Sequence, residues 1–218
     1  MSTPSHPHLE HLAEMRHLME RSTRFLSLSG LSGVWAGLCA LAGAAAWYGW
    51  LGLLPFASSG EYDYLDTASA NQTWGLSYRQ VVLVVSATVL LAAFGGAYYF
   101  TARKARARGE RVWDATSQRL MWAIAVPLMA GGVFCLALLS RGYLSLLAPS
   151  TLVFYGLALV NGSKYTLRDV GHLGLYDIGL GLLGLFWPGY GLELWALGFG
   201  VLHIVYGAWM YAKHDRAT

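Results

Sequence analysis

The sequence predicts an all-α polytopic membrane bundle of six transmembrane helices, and three observations predict it. Of 218 residues, 56% are apolar and 12% charged, against about 45–50% and about 25% for an ordinary soluble domain. Charge is absent over stretches long enough to cross about 30 Å of hydrocarbon, which takes roughly 17–25 residues without an unpaired ionised group. Basic residues fall almost wholly on one set of connections. The same composition argues against a disordered tail, a nucleic-acid-binding module and a disulfide scaffold. The net charge is only +3, and the two cysteines, Cys39 and Cys135, both sit in apolar runs as inert packing residues.

Asp, Glu, Lys and Arg are missing from Phe25 to Gly60, Gln80 to Ala102, Leu120 to Ser140, Gly142 to Ser163 and Leu194 to Ala212. A sixth stretch, Val170 to Phe186, carries one acid, Asp177, near its middle. The expected spans are therefore about 26–53, 80–102, 119–140, 144–162, 169–187 and 190–212. Connections as short as Arg141-Gly142-Tyr143 and Pro188-Gly189 predict three antiparallel hairpins, pairing spans one with two, three with four and five with six. Pro127 and Pro149 are expected inside spans three and four, where a proline frees a carbonyl and bends the helix.

Thirteen of the fifteen basic residues lie on one side. They are Arg16, Arg21 and Arg24; Arg103 to Arg119 in and after the second connection; Lys164 and Arg168; and Lys213 and Arg216. Only Arg79 and Arg141 fall on the other. Both termini are thus expected in the cytoplasm, with the acidic loop holding Glu61, Asp63 and Asp66 outside. Residues 1–24 form a cytoplasmic amphipathic helix in this reading, with Leu9, Leu12, Met15, Leu18 and Met19 on one face. Residues 25–213 are the six-helix domain and 214–218 a cytoplasmic tail. The N-terminal helix either rests on the inner loops of the bundle or docks a partner, and the basic run after span two either sets topology or attracts an anionic head group.

The first span carries a small-residue stripe, Gly30, Gly33, Gly37, Ala40 and Gly43, which permits close backbone approach to another helix of this chain or of a second copy. The polar residues at membrane depth collect in the last two spans: His172, Asp177, Glu193, His203 and Tyr206. Folding these spans back at Gly189 sets Asp177 level with about Gly200 and His203 about one turn, 5.4 Å, further on. An Asp177 to His203 hydrogen bond is then feasible; it would be either a titrating pair or a polar contact that fixes helix register, or else Asp177 stays protonated. No metal-ligand spacing, phosphate loop or catalytic motif is present. No metal, no cofactor and no enzymatic activity are expected, and Thr166 is a candidate cap for the fifth helix.

The run Met19 to Gly33, then Thr151 to Thr166 with Tyr155-Gly156 and Asn161-Gly-Ser-Lys164, then Gly198 to Gly207, resembles a family of uncharacterised bacterial polytopic membrane proteins. The resemblance spans all six helices and leaves out the acidic loop Ser58 to Ser77. It implies the fold and a bacterial inner membrane, and it implies no activity. Twelve arginines against three lysines fit a GC-rich bacterial genome. Two functions are expected to compete. One is a non-enzymatic sensor, regulatory or assembly module in the lipid bilayer, acting on a second copy or another membrane protein. The alternative is a small proton-linked transporter or channel using Asp177 and His203.

Overall fold

The computed structural model describes residues 29–52, 75–107, 109 and 113–215. The expected amphipathic helix over 1–24, the acidic loop and the last three residues lie outside them. Among the described residues the protein is helical, without strands. The helices are α1 (Gly30–Leu51), α2 (Tyr78–Ala107), α3 (Ala115–Ser140), α4 (Leu147–Gly162), α5 (Arg168–Phe186) and α6 (Gly191–Lys213). Five of these, all but α5, are long and apolar enough to cross a membrane, α4 counting its 3-10 lead-in Leu144–Leu146.

Local chemistry explains the helix ends. Asp114 caps α3 by accepting Ser117 N–H at 2.7 Å while the Ser117 hydroxyl takes the Asp114 N–H at 2.8 Å, a reciprocal box that satisfies two orphan donors. Gly52 ends α1 with φ 69°, a left-handed conformation that glycine adopts without cost. The N-cap of α5 is Leu167 rather than the expected Thr166, which is buried one residue before it. Pro149 lies in the first turn of α4, where its missing N–H has no intrahelical partner to lose; only Pro127 is interior to its helix.

The packing differs from three equal hairpins. α2 leans on α1, and α3 on α4, as the short-range pairing predicts. α5, however, packs most extensively on α4, and α6 on α1, so that α5 and α6 meet chiefly near their shared turn. Glycine decides this arrangement. Along α4 and α5, a Cβ at Gly156 would stand 2.5 Å from the Gly174 carbonyl oxygen, and one at Gly181 would stand 2.8 Å from that of Pro149. These helices touch backbone to backbone, which the short connection of α5 to α6 does not by itself require.

Two apolar clusters close the bundle at its ends. Trp47, Trp50, Leu51 and Val81 gather with Leu144 and Leu192 at the end bearing the α5–α6 turn. Leu159, Val170, Leu173 and Met210 gather with Tyr155 and Tyr206 toward the other end, which carries Lys164 and Lys213. There Lys213 Nζ lies 3.1 Å from Asp169 Oδ2 and 4.4 Å from the centre of the Trp209 ring, tying the start of α5 to the end of α6.

Candidate functional site

Between the two clusters lies a polar layer held by α4, α5 and α6. Its form follows from a local fault in α6: residues Ala196–Leu202 are wound as a π-helix between α-helical turns. A π turn widens the helix by one residue, and such segments recur at functional sites. The segment contains Gly198 and Gly200, both buried, so it presents backbone where other turns present side chains.

His203 follows the π segment and is almost wholly buried. Its Nδ1 lies 2.8 Å from the Gly198 carbonyl oxygen, and its Nε2 lies 2.9 Å from the Tyr155 hydroxyl of α4. A carbonyl can only accept, so Nδ1 carries a proton; in the neutral imidazole Nε2 then accepts from Tyr155. Aromatic rings fix this geometry. Phe199 stacks on the imidazole at 5.8 Å and meets Tyr155 at 4.8 Å, with Trp195 behind it at 5.1 Å.

Asp177, on α5, is fully buried, and neither carboxyl oxygen has a hydrogen-bond partner among the described residues. Its Oδ1 faces the α6 backbone closely enough that a Cβ at Gly198 would stand 2.9 Å from it, and Tyr155 lies within electrostatic range. The feasible Asp177 to His203 hydrogen bond is therefore not made. Both imidazole nitrogens are engaged elsewhere, and the π segment brings Gly198, two residues before the expected Gly200, against the acid. An unpaired charge at such a place would be expensive, because burial of an ion requires a counter-charge or several hydrogen bonds.

The other expected polar residues do not join this layer. His172 is exposed on α5. Glu193 is half-buried in the first turn of α6. Tyr206 is half-buried and meets the rings of Tyr176 at 6.2 Å and Trp209 at 5.9 Å. The small-residue stripe lies against this chain's own helices. A Cβ at Gly30 would stand 2.5 Å from the Gly207 carbonyl oxygen, and one at Gly33 3.1 Å from the Gly207 Cα. One at Gly37 would stand 2.6 Å from the Gly200 carbonyl oxygen. Ala40 is buried, and Gly43 turns to the side chain of Val89 on α2.

Sequence reasoning missed Tyr155 and Gly198 as members of the layer. A tyrosine in an otherwise apolar span is a weak sign, since Tyr155 reads equally well as packing; only the partner, His203, gives its hydroxyl a purpose. Nothing in the sequence marks the π turn.

Chemically, the layer pairs a hydrogen-bonded Tyr155–His203 relay with an acceptor, Asp177, whose lone pairs are unused. No group of three or more metal-ligating side chains exists among the described residues, and the free thiols Cys39 and Cys135 lie on α1 and α3. An open groove lies elsewhere, between α3 and the end of α4. No family model, curated protein or solved structure matches this chain, so the layer's role rests on its own geometry.

Proposed function

We propose that this chain is a six-span protein of a bacterial cytoplasmic membrane, with both termini in the cytoplasm, and that it works as a non-enzymatic sensor, regulatory or assembly module. Its sixth span is α5. With 19 residues α5 extends about 28 Å, enough for the hydrocarbon core, and its one mid-helix acid points into protein rather than lipid. The one-sided distribution of Lys and Arg supports the orientation.

The observation that carries the functional reading is the sealed, partnerless carboxyl of Asp177 against the π turn of α6. A fully buried site between two apolar clusters suits a module whose state is set by how α5 sits on α6, and it suits an open water path poorly. His203 holds both its hydrogen bonds, to the Gly198 carbonyl and Tyr155, while Asp177 faces the same turn at Gly198, so a shift of α5 on α6 would change what the acid meets.

The second reading, a proton-linked carrier using Asp177 and His203, is favoured by the unused acceptor capacity of Asp177. Reconstituted vesicles under an imposed pH gradient separate the two. A module gives no proton flux above empty vesicles, whereas a carrier gives flux that Asp177→Asn abolishes. Single cysteines at Arg79, Arg141, Lys164 and Lys213 test the orientation: the first two should react with an impermeant thiol reagent from outside the cell and the last two should not.

A further inference from the structure

At the end of the bundle that bears Lys164 and Lys213, α3 and α4 part to leave an open groove of about 410 Å3, and its lining combines one cation with aromatic and amide groups: Arg119, Gln118, Trp122, Asn161 and Tyr165. Arg119 is exposed and makes no ion pair among the described residues. A second cation is fixed at the rim. Asn161 is pinned by its Nδ2 to the Ala123 carbonyl at 2.8 Å, and its Oδ1 accepts Lys164 Nζ at 3.1 Å. The first turn of α3 adds little attraction for an anion, because the Asp114 carboxylate already caps it on the Ser117 amide. The groove's positive character therefore comes from Arg119 and Lys164.

What lies below the groove identifies the occupant. Trp122, Val126, Met129 and Val133 follow Arg119 at spacings of three and four residues, which places all five on one face of α3. These four apolar side chains are each more than half exposed. A cation at the head of an exposed apolar stripe, with an indole at the junction, is complementary to an amphiphile carrying negative charge at one end. A free phosphate would use the cations and ignore the stripe.

We propose that this groove binds the anionic phosphodiester headgroup of a membrane phospholipid, with Arg119 and Lys164 as the charge partners, Trp122 at the level of the glycerol, and an acyl chain along Val126, Met129 and Val133. The assignment rests on the membrane-spanning reading above. It goes beyond that reading in naming a ligand class and the residues that select it.

Native mass spectrometry of the full chain in an uncharged detergent tests it, with phosphatidylglycerol, phosphatidylcholine and inorganic phosphate as the added species. Phosphatidylglycerol should be retained over phosphatidylcholine. At about 1 kcal/mol for each basic residue near an anionic headgroup, Arg119→Gln should weaken phosphatidylglycerol about five-fold and leave phosphatidylcholine unchanged. Arg119→Lys should keep most of the preference, and Arg79→Gln, at the other end of the bundle, all of it. Equal retention of the two lipids, or indifference to Arg119→Gln, overturns the site. Displacement of phosphatidylglycerol by equimolar inorganic phosphate overturns the lipid assignment in favour of a free anion. A chain recovered in solution without detergent removes the membrane reading itself, which distinguishes that failure from the other two.

Discussion

The inner helices α1 and α4 and the outer helices α2 and α3 solve opposite problems with similar residues. In the most apolar 18-residue window of each, 39% of α1 and of α4 is buried in protein, against 6% of α2 and 11% of α3. The outer pair is nevertheless the more apolar. Hydrophobicity thus does not decide which helix lies inside. In a bilayer the lipid is as apolar as leucine, so association depends on shape, and shape here means glycine: Gly30, Gly33 and Gly37 against α6, and Gly156, Gly174 and Gly181 between α4 and α5. The outer helices have fewer such positions. Gly96 of α2 lies under the Trp35 ring, whose Nε1 also donates to the Ala92 carbonyl at 2.9 Å, while Gly131 of α3 lies under Phe154.

If close backbone approach holds the inner helices together, filling it should produce the largest effect in the molecule. A Cβ at Gly207 would stand 2.5 Å from the Val34 amide nitrogen, which is backbone and cannot turn aside. Gly207→Leu should cost about 3 kcal/mol or more, at the upper end of overpacking losses, read as a lower Tm of the detergent-solubilised protein. Gly95→Leu, where open space surrounds the position on α2, should leave Tm nearly unchanged. Equal losses at the two sites would end the distinction between inner and outer helices.

The polar layer sharpens the comparison because it lies on α4, α5 and α6 and takes no side chain from the outer pair. Tyr155→Phe removes a donor and strands His203 Nε2, so a loss of about 1–3 kcal/mol is expected, the cost of one buried unsatisfied group. Asp177→Leu should do the reverse. It removes two oxygens that have no partner, and by the same magnitude it should stabilise by about 1–3 kcal/mol. Destabilisation by Asp177→Leu, measured by the same melting experiment, would mean that the folded protein satisfies this carboxyl with a bound donor.

How much of this was legible follows from what each feature depends on. Helix positions could be read because charge-free length is a property of the local sequence, and α2, α3 and α4 begin or end within a few residues of the expected bounds. The polarity of Asp177 and His203 at depth was equally visible. Their relation was not, because it turns on the π winding of Ala196–Leu202, which alters the register of α6 by an amount no spacing rule supplies. The pairing of α5 with α4 was hidden for a related reason. A short turn announces which helices are neighbours in sequence, whereas the glycines that bring α4 and α5 into backbone contact announce only that something approaches closely.

The smallest expected effect tests the outer surface. Leu91 and Val133 are the most exposed large aliphatic residues on α2 and α3, at 73% and 69%. If lipid alone covers them, truncation removes contacts that detergent or acyl chains replace, and Leu91→Ala and Val133→Ala should each change Tm by the equivalent of less than about 0.5 kcal/mol. The two sites differ in one respect. Val133 continues the stripe below Arg119, so Val133→Ala should weaken retention of phosphatidylglycerol slightly, while Leu91→Ala should not. A fall in Tm at Leu91 that varied with protein concentration would instead mark α2 as a face between two copies of the chain. It would then owe its apolar surface to a protein partner, and the difference between inner and outer helices would reflect an incomplete assembly rather than exposure to the bilayer.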